Sequence, residues 1–199
     1  MNQFRITTTE DQRVFLTSDT HFGHENIIRY CGRPFANADE MDAEMIRRWN
    51  LTVRPGDVVL HLGDFAYKTR RGISEVLAQL NGIKYLVQGN HDDTKKIQKA
   101  EGFEQIAFGV MENNVLPGQC MLWINDQAVA ILSHYPLTAD HAAHRHLLPI
   151  FFGHIHTSPI KPITSGPHDV VGTYDVGVDS NEFYPVPLDV AKRRAWRTV

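Results

Sequence analysis

Val58-Val59-Leu60-His61-Leu62-Gly63-Asp64 is an almost unbroken apolar run that stops at Gly-Asp. Such continuity suits a strand covered on both faces, as in an α/β sheet, rather than one with a wet face. The turn residues Arg54-Pro55-Gly56-Asp57 lead into it. Upstream, Asn37-Ala38-Asp39-Glu40 has the form of a helix capping box, and Met41, Met45, Ile46 and Trp49 then mark one helical face. Downstream, Ile73, Val76, Leu77 and Leu80 stand at helical spacing, and Asn81-Gly82 offers a left-handed end. Arg13–Ser18 and Ile83–Gln88 read as further strands, and a short helix is expected between Asp92-Asp93 and Gly102. After Gly102 the rhythm changes. Val110–Leu116, Cys120–Ile124 and Ala128–Ser133 read as strands joined by tight turns such as Asn125-Asp126. Ile150–Phe152 and Tyr174–Val178 are short strands, and the Pro- and Gly-rich Thr157–Gly172 is loop. No repeat or linker interrupts the pattern, so one α/β domain with a mixed sheet system is expected over residues 1–199.

Composition narrows the classes. The 199 residues carry a net charge of −3 with 42% apolar content, too apolar and too weakly charged for a disordered chain. Cys31 and Cys120 could form at most one disulfide, so this is no disulfide-stapled scaffold. The mildly acidic balance argues against sequence-independent coating of DNA. No apolar run reaches the roughly 18 residues of a membrane span, and no signal-like segment opens the chain. A cytoplasmic protein without membrane contact is therefore expected. The odd feature is a supply of eleven histidines, each a potential metal ligand or proton carrier.

Chemistry-bearing residues follow the expected strands. Arg13–Ser18 runs into Asp19-Thr20-His21, Val58–Leu62 into Gly63-Asp64, and Ile83–Gln88 into Gly89-Asn90-His91-Asp92. Ala128–Ser133 runs into His134, and Ile150–Phe152 into Gly153-His154-Ile155-His156. Ligands of open α/β sheets bind beyond the carboxyl ends of strands, so five distant segments can converge on one place. In an extended chain, residues i and i+2 share a side, which would let Asp19/His21 and His154/His156 each aim two groups at that place. Gly63, Gly89 and Gly153 allow sharp turns or close approach. Carboxylate, imidazole and amide together suit Mn²⁺, Fe²⁺, Zn²⁺ or Ni²⁺ better than Ca²⁺. Taken singly, a strand-end Asp is as readily a helix cap and a His a satisfied polar group. It is the five in fixed order, each after a strand, that indicate a site.

Asp19-x-His21, Gly63-Asp64, Gly89-Asn90-His91-Asp92, His134 and Gly153-His154-x-His156 together resemble the calcineurin-like metallophosphoesterase superfamily. Two further stretches, Ser18–Ile28 and Asp175-Val176-Gly177-Val178-Asp179, resemble its small bacterial and phage branch. The resemblance implies two packed mixed β-sheets flanked by helices, a four-layer αββα fold. It implies two divalent metal ions, Mn²⁺ first, with Fe, Zn, Ni or Mg as alternatives. One would be held by Asp19, His21, Asp64 and His156, the other by Asp64, Asn90, His134 and His154. Asp64 would bridge, since a carboxylate has two oxygens to share. Catalysis would then involve Asp64, Asn90 and His91: a hydroxide between ions roughly 3.5–4 Å apart attacks phosphorus, and His91, free of metal, protonates the leaving oxygen. Many relatives place a carboxylate just after the Gly-Asp motif to orient that histidine. Phe65-Ala66-Tyr67-Lys68 has none, leaving Asp92 or Asp57 as candidates.

Beyond this set, His24, Asn26, Asp92 and Arg33 are candidates for contact with substrate or for support behind the ligands. His61 reads as a core or supporting residue. His141, His144 and His146 could form a loop over the mouth of the site, with a plain surface loop as the alternative, and Arg33 and Arg70-Arg71 could bind a second phosphate or the tail of the substrate, with surface charge as the alternative; His168 is assigned nothing. Lys192-Arg193-Arg194 with Arg197 could meet nucleic acid or simply end a solvated helix. The expected activity is hydrolysis of phosphodiesters or phosphomonoesters, the partner a small phosphate ester such as a nucleotide. A metal-dependent nuclease and a non-catalytic interaction scaffold are the alternatives. The net charge gives a nucleic-acid partner little support, and the filled ligand positions argue against the scaffold.

Overall fold

The strand Val58–His61 (β3) and its neighbour Val14–Thr17 (β2) send alternate residues to opposite sides. Leu16, Val58 and Leu60 join one apolar cluster with Phe4, Leu122, Leu132 and Phe151. Phe15 and Val59 join another with Met41, Met45, Trp49, Val76 and Leu77. A sheet buried on both faces follows, as the apolar run requires.

The computed structural model describes residues 2–69, 71–108, 119–137, 148–157 and 172–196. The remaining strands are β1 (Asn2–Ile6), β4 (Ile83–Val87), β5 (Phe103–Ala107), β6 (Cys120–Ile124), β7 (Gln127–Leu132), β8 (Ile150–Phe152), β9 (Thr173–Asp175) and β10 (Val186–Pro187). They form two five-stranded mixed sheets, ordered β1-β6-β7-β8-β9 and β10-β2-β3-β4-β5. In the second, β2 through β5 run parallel and β10 pairs antiparallel with β2. In the first, only β6 and β7 are antiparallel. The first apolar cluster fills the space between the sheets. Helices α1 (Glu25–Cys31), α2 (Ala38–Thr52), α3 (Ile73–Gln79) and α4 (Thr94–Lys99) cover the outer face of the second sheet. Helix α5 (Leu188–Ala195) packs Ala191 and Ala195 into the intersheet core. This is the expected architecture of two packed mixed sheets flanked by helices. No helix among the described residues is long and apolar enough to cross a membrane.

Local chemistry explains most boundaries. Asn37 caps α2 by accepting from the Glu40 amide, while the Glu40 carboxylate reaches back to the Ala36 N–H. Asp93 caps α4 by accepting from Lys95 and Lys96. The Asn125-Asp126 turn has φ of 48° and 62°, the left-handed pair that a two-residue hairpin needs.

Three expectations are corrected. Helix α3 ends at Leu80 in extended backbone, and the left-handed residue is Gly82, φ 92°, in the turn to β4. Tyr174–Val178 is strand only as far as Asp175. There the Asp175 side chain takes the Gly177 N–H, and Val178–Ser180 winds into a single 3-10 turn. Strands β1, β5 and β10 were not anticipated. Val110–Leu116, His141, His144, His146, His168, Arg70 and Arg197 lie outside the described residues, as does 158–171 of the expected loop.

Candidate metal centre

The carboxyl ends of five strands meet at one place. The second sheet brings Asp19 and His21 from β2, Asp64 from β3, and Asn90 and His91 from β4; the first brings His134 from β7 and His154 and His156 from β8. Backbone bonds lock these turns together: Asp19 N–H to Gly63 O at 3.0 Å, His21 N–H to Asp64 O at 2.9 Å, and Gly153 N–H to His134 O at 3.1 Å. The side chains do not converge through extended backbone, as the i, i+2 spacing suggested. Asp19, His21, Asp64, His154 and His156 are all left-handed, with φ of 60°, 52°, 57°, 72° and 48°. Each such non-glycine residue costs on the order of 1 kcal/mol or more, and such strain persists where surrounding structure enforces it, typically at functional sites.

Asp19, His21, Asp64 and His134 are almost fully buried; His154 and His156 are partly exposed, and Asn90 and His91 stand open at the mouth. Three groups lie close enough for each to hold a cation: Asp19, His21 and His156; Asp64, His134 and His154; and, sharing His156 with the first, Cys31, His156 and Asp179. Asp64 sits between the first two in a specific way. Its Oδ1 accepts the His91 N–H at 2.8 Å. Its Oδ2 lies 3.4 Å from His21 Nε2 and 3.5 Å from His134 Nε2. Asp64 would thus be the residue common to both groups.

The donor set fits cations. Asp64 Oδ2, Asp19 Oδ1 and His21 Nε2 are buried and have no hydrogen-bond partner, a costly arrangement for such groups. His134 donates Nδ1–H to Leu62 O at 2.8 Å, so its Nε2 presents a lone pair, and that lone pair faces Asn90 Oδ1 at 2.9 Å. A cation beside that pair would be held by both atoms. Packing is tight enough that three glycines of the site leave no room for a Cβ, and one on Gly63, at φ 102°, would strike His134 Nδ1 and the Gly89 backbone. A Cβ on Gly89 would strike Asp64 Oδ1 and N, and one on Gly153 would strike Ser18 Oγ and Asp19 Oδ2.

Charges around the site respond accordingly. Burial opposes charge on Asp64, yet the His21 and His134 rings and the His91 amide hold its carboxyl below the usual range. Burial also opposes charge on His156, but Asp179, Cys31 and Asp19 outweigh it and push its pKa to about 11. Burial, aided by the charges of His21 and His91, lowers His24 to about 4.

Support comes from residues one layer back. Arg33 does not touch substrate space, nor is it surface charge: its side chain is fully buried. It donates to both Asp179 oxygens at 2.9 Å, to Thr20 O at 2.9 Å and to Asp19 O at 2.7 Å. Asp179 in turn lies 2.8 Å from His156 Nδ1. Sequence reasoning missed Asp179, although the Asp175–Asp179 stretch had been singled out. Asp92 accepts the amides of Asp64, Phe65 and Gly89, each at 2.9 Å, and so holds two ligand loops together. His61 contacts Thr20 Oγ1 at 2.9 Å and serves in support; burial drives its pKa to about 3.

The carboxylate expected to orient His91 is absent among the described residues. Asp92 is committed to those amides, and Asp57 binds Arg13 and the Arg54 amide. Instead Tyr67 stands edge-on to His91, ring centroids 5.4 Å apart, with His24 4.5 Å from Tyr67 on its other flank. Tyr67 carried no signal beyond its place in the carboxylate-free stretch. His24 also lies 3.4 Å from His21, nitrogen to nitrogen, and lines a cavity with the exposed Asn26.

The chain resembles several known proteins. Over 83 residues it is 45% identical to an uncharacterized protein of Methanocaldococcus jannaschii, a match covering 41% of this chain and 47% of that protein. It is 29% identical over 143 residues to the gene 66 protein of Mycobacterium phage L5, covering 65% of this chain and 66% of that protein. The matches thus span about half to two-thirds of these curated relatives. In fold it is similar to the crystal structure of a protein of unknown function from Aquifex aeolicus. That likeness has a TM-score of 0.63 and 24% identity, and covers 89% of this chain and 96% of the other. Residues 12–158, the span that contains every strand-end histidine and carboxylate described above, match the calcineurin-like phosphoesterase family model, and the chain belongs to that family.

Proposed function

We propose that this chain hydrolyses small phosphate esters, monoesters or diesters, with two divalent cations. One is held by Asp19, His21, Asp64 and His156, the other by Asp64, Asn90, His134 and His154. Mn²⁺ is the first ion to test, followed by Fe, Zn, Ni and Mg. The observation that carries the proposal is Asp64 Oδ2, buried, without a hydrogen-bond partner, and set between a histidine of each group. Two ions so held supply Lewis acidity to a phosphoryl oxygen and acidify the water that attacks phosphorus.

The chain's own residues do the rest. Asn90, at the mouth beside His134, adds a neutral oxygen to the second group and can also meet a bound phosphoryl group. The His91 backbone is tied to Asp64 Oδ1, so its imidazole has a fixed origin while remaining open to solvent. That suits a general acid that delivers a proton to the leaving oxygen. Tyr67 and His24 wall the approach to it.

The experiment is metal analysis together with turnover of an aryl phosphodiester and an aryl phosphomonoester on Mn²⁺-loaded protein. Asp64→Asn should lose both metal and activity. His91→Ala should keep its metal and lose about 10²-fold or more in turnover. Normal turnover by His91→Ala, or a protein that binds no divalent ion, would refute the proposal.

A further inference from the structure

Beside His91 opens a cleft of about 600 Å³, within the size range of small-ligand sites. Its walls carry Tyr67, Lys68 and Arg71 on one side and His91, Lys96 and Lys99 on the other. Lys96 and Lys99 are three residues apart on α4 and so share a face. The single carboxylate in the lining, Asp93, is engaged in capping α4. Four cations therefore line the cleft with one committed anion, on a chain whose net charge is −3, although Arg71 also lies near Asp42 and Lys68 sits over the Tyr67 ring. Five arginines elsewhere have a carboxylate partner: Arg13 with Asp57, Arg33 with Asp179, Arg47 and Arg48 with Glu44, Arg193 with Asp189. Among the described residues, none of Lys68, Arg71, Lys96 and Lys99 has an ion pair.

We infer that this cleft is a subsite for a second phosphate group carried by the leaving part of the substrate. The inference rests on the proposed function in one respect: His91, as the acid, marks the side from which the alcohol departs, and the cleft begins at His91. The preferred substrate is thus a small bisphosphate. Water adds to the reacting phosphorus, its bond to the alcohol oxygen breaks, and the proton from His91 goes to that oxygen. The products are inorganic phosphate and an alcohol that still bears a phosphate on Lys68, Arg71, Lys96 and Lys99. A cluster of ammonium and guanidinium groups without ion pairs recognises such a dianion through charge-assisted hydrogen bonds.

The test compares phenyl phosphate with 1,4-phenylene bisphosphate, which differ by a second phosphate on the leaving group. Three proteins are used with Mn²⁺: wild type, Lys96→Ala/Lys99→Ala, and Lys95→Ala, which removes an exposed charge of α4 outside the cleft. Wild type should favour the bisphosphate in kcat/KM by at least about tenfold beyond the statistical advantage of carrying two esters. That preference should collapse in the double variant, persist in Lys95→Ala, and weaken with salt. In parallel, calorimetry of 1,4-phenylene bisphosphate on metal-stripped protein needs no turnover. Binding there that weakens in the double variant supports the subsite even if no ester is hydrolysed, in which case only the proposed reaction fails. Equal preference or equal binding in wild type and double variant overturns the inference. So does a single-stranded oligonucleotide that binds more tightly than the bisphosphate, with affinity rising with its length, because that would make the cleft part of a strand track.

Discussion

Arg33→Met isolates what the residue behind the site contributes. The guanidinium is buried and makes both bonds to Asp179 and two more to the carbonyls of Asp19 and Thr20. Methionine keeps the volume but leaves the buried Asp179 carboxylate with His156 as its one charged partner and strips the Asp19 and Thr20 carbonyls of their donor, which together costs about 3–5 kcal/mol. For a chain of this size, that corresponds to a fall in Tm on the order of 10 °C. Losing the anchor of the Asp19–His21 turn should also weaken Mn²⁺ binding about 10- to 100-fold, the usual effect of removing a group that orients ligands. A second substitution separates the effects. Arg33→Met/Asp179→Leu removes both charges, so most of the stability should return, whereas Mn²⁺ affinity should stay low because His156 Nδ1 has lost Asp179. Urea unfolding and calorimetric titration with Mn²⁺ give the two quantities. An Arg33→Met protein within about 1 kcal/mol of wild type, or a double variant with normal Mn²⁺ affinity, would refute this account.

Other perturbations have equally defined outcomes. Gly89→Ala should cost about 1–3 kcal/mol by overpacking and depress metal binding, since the new Cβ displaces Asp64; thermal melts with and without Mn²⁺ read both. Asp92→Asn should destabilise by about 1–3 kcal/mol, because an amide NH₂ cannot accept where a carboxylate oxygen took backbone N–H groups from two loops, and denaturant midpoints measure it. Burial raises Asp42, whose carboxylate accepts the Gly23 N–H, to about 6. From its ordinary value up to about 6, the folded chain therefore holds more protons than the unfolded one, and this group's contribution falls as pH rises through that window. Asp42→Asn should accordingly gain stability relative to wild type between pH about 4 and 7, measured as the difference in Tm at the two ends.

Periodicity and punctuation made the second sheet and its helices legible. Val58–Leu62 could only be a strand covered on both faces, and Asn37 with Glu40 marked the start of α2. The strand-end residues could be identified because chemistry-bearing side chains followed apolar runs. Strand β10 escaped because it is two residues long and contains Pro187. Strand β5, with the burial of its middle residues alternating poorly, gave no period to detect. Asp179, the partner of the candidate Arg33, escaped for a different reason. The two are 146 positions apart and become a pair only when the fold closes, so each alone looks like surface charge. Tyr67 was invisible as a neighbour of His91 because an edge-on ring contact leaves no spacing in the sequence. The left-handed backbone at five strand-end positions likewise carries no compositional signal, since Asp and His fill places where glycine would be expected.

The division of the candidate ligands between the two sheets has a mechanical consequence. Cys31 and Cys120 are both free and buried, so among the described residues no covalent bridge joins the sheets. Ions shared by Asp64 with His134, or by Asp19 with His156, would rivet the end of β3 to β7 and that of β2 to β8. Each would close a long stretch of chain, as a disulfide does in smaller proteins. Loading would then tighten one edge of the intersheet seam while leaving the ladders within each sheet untouched. Amide exchange should slow at Leu62–Asp64 and Ser133–His134 when Mn²⁺ is added, and the far ends of the same strands should exchange as before. The ions would act as fasteners as well as reagents, and chelation would unfasten the seam from the active end first.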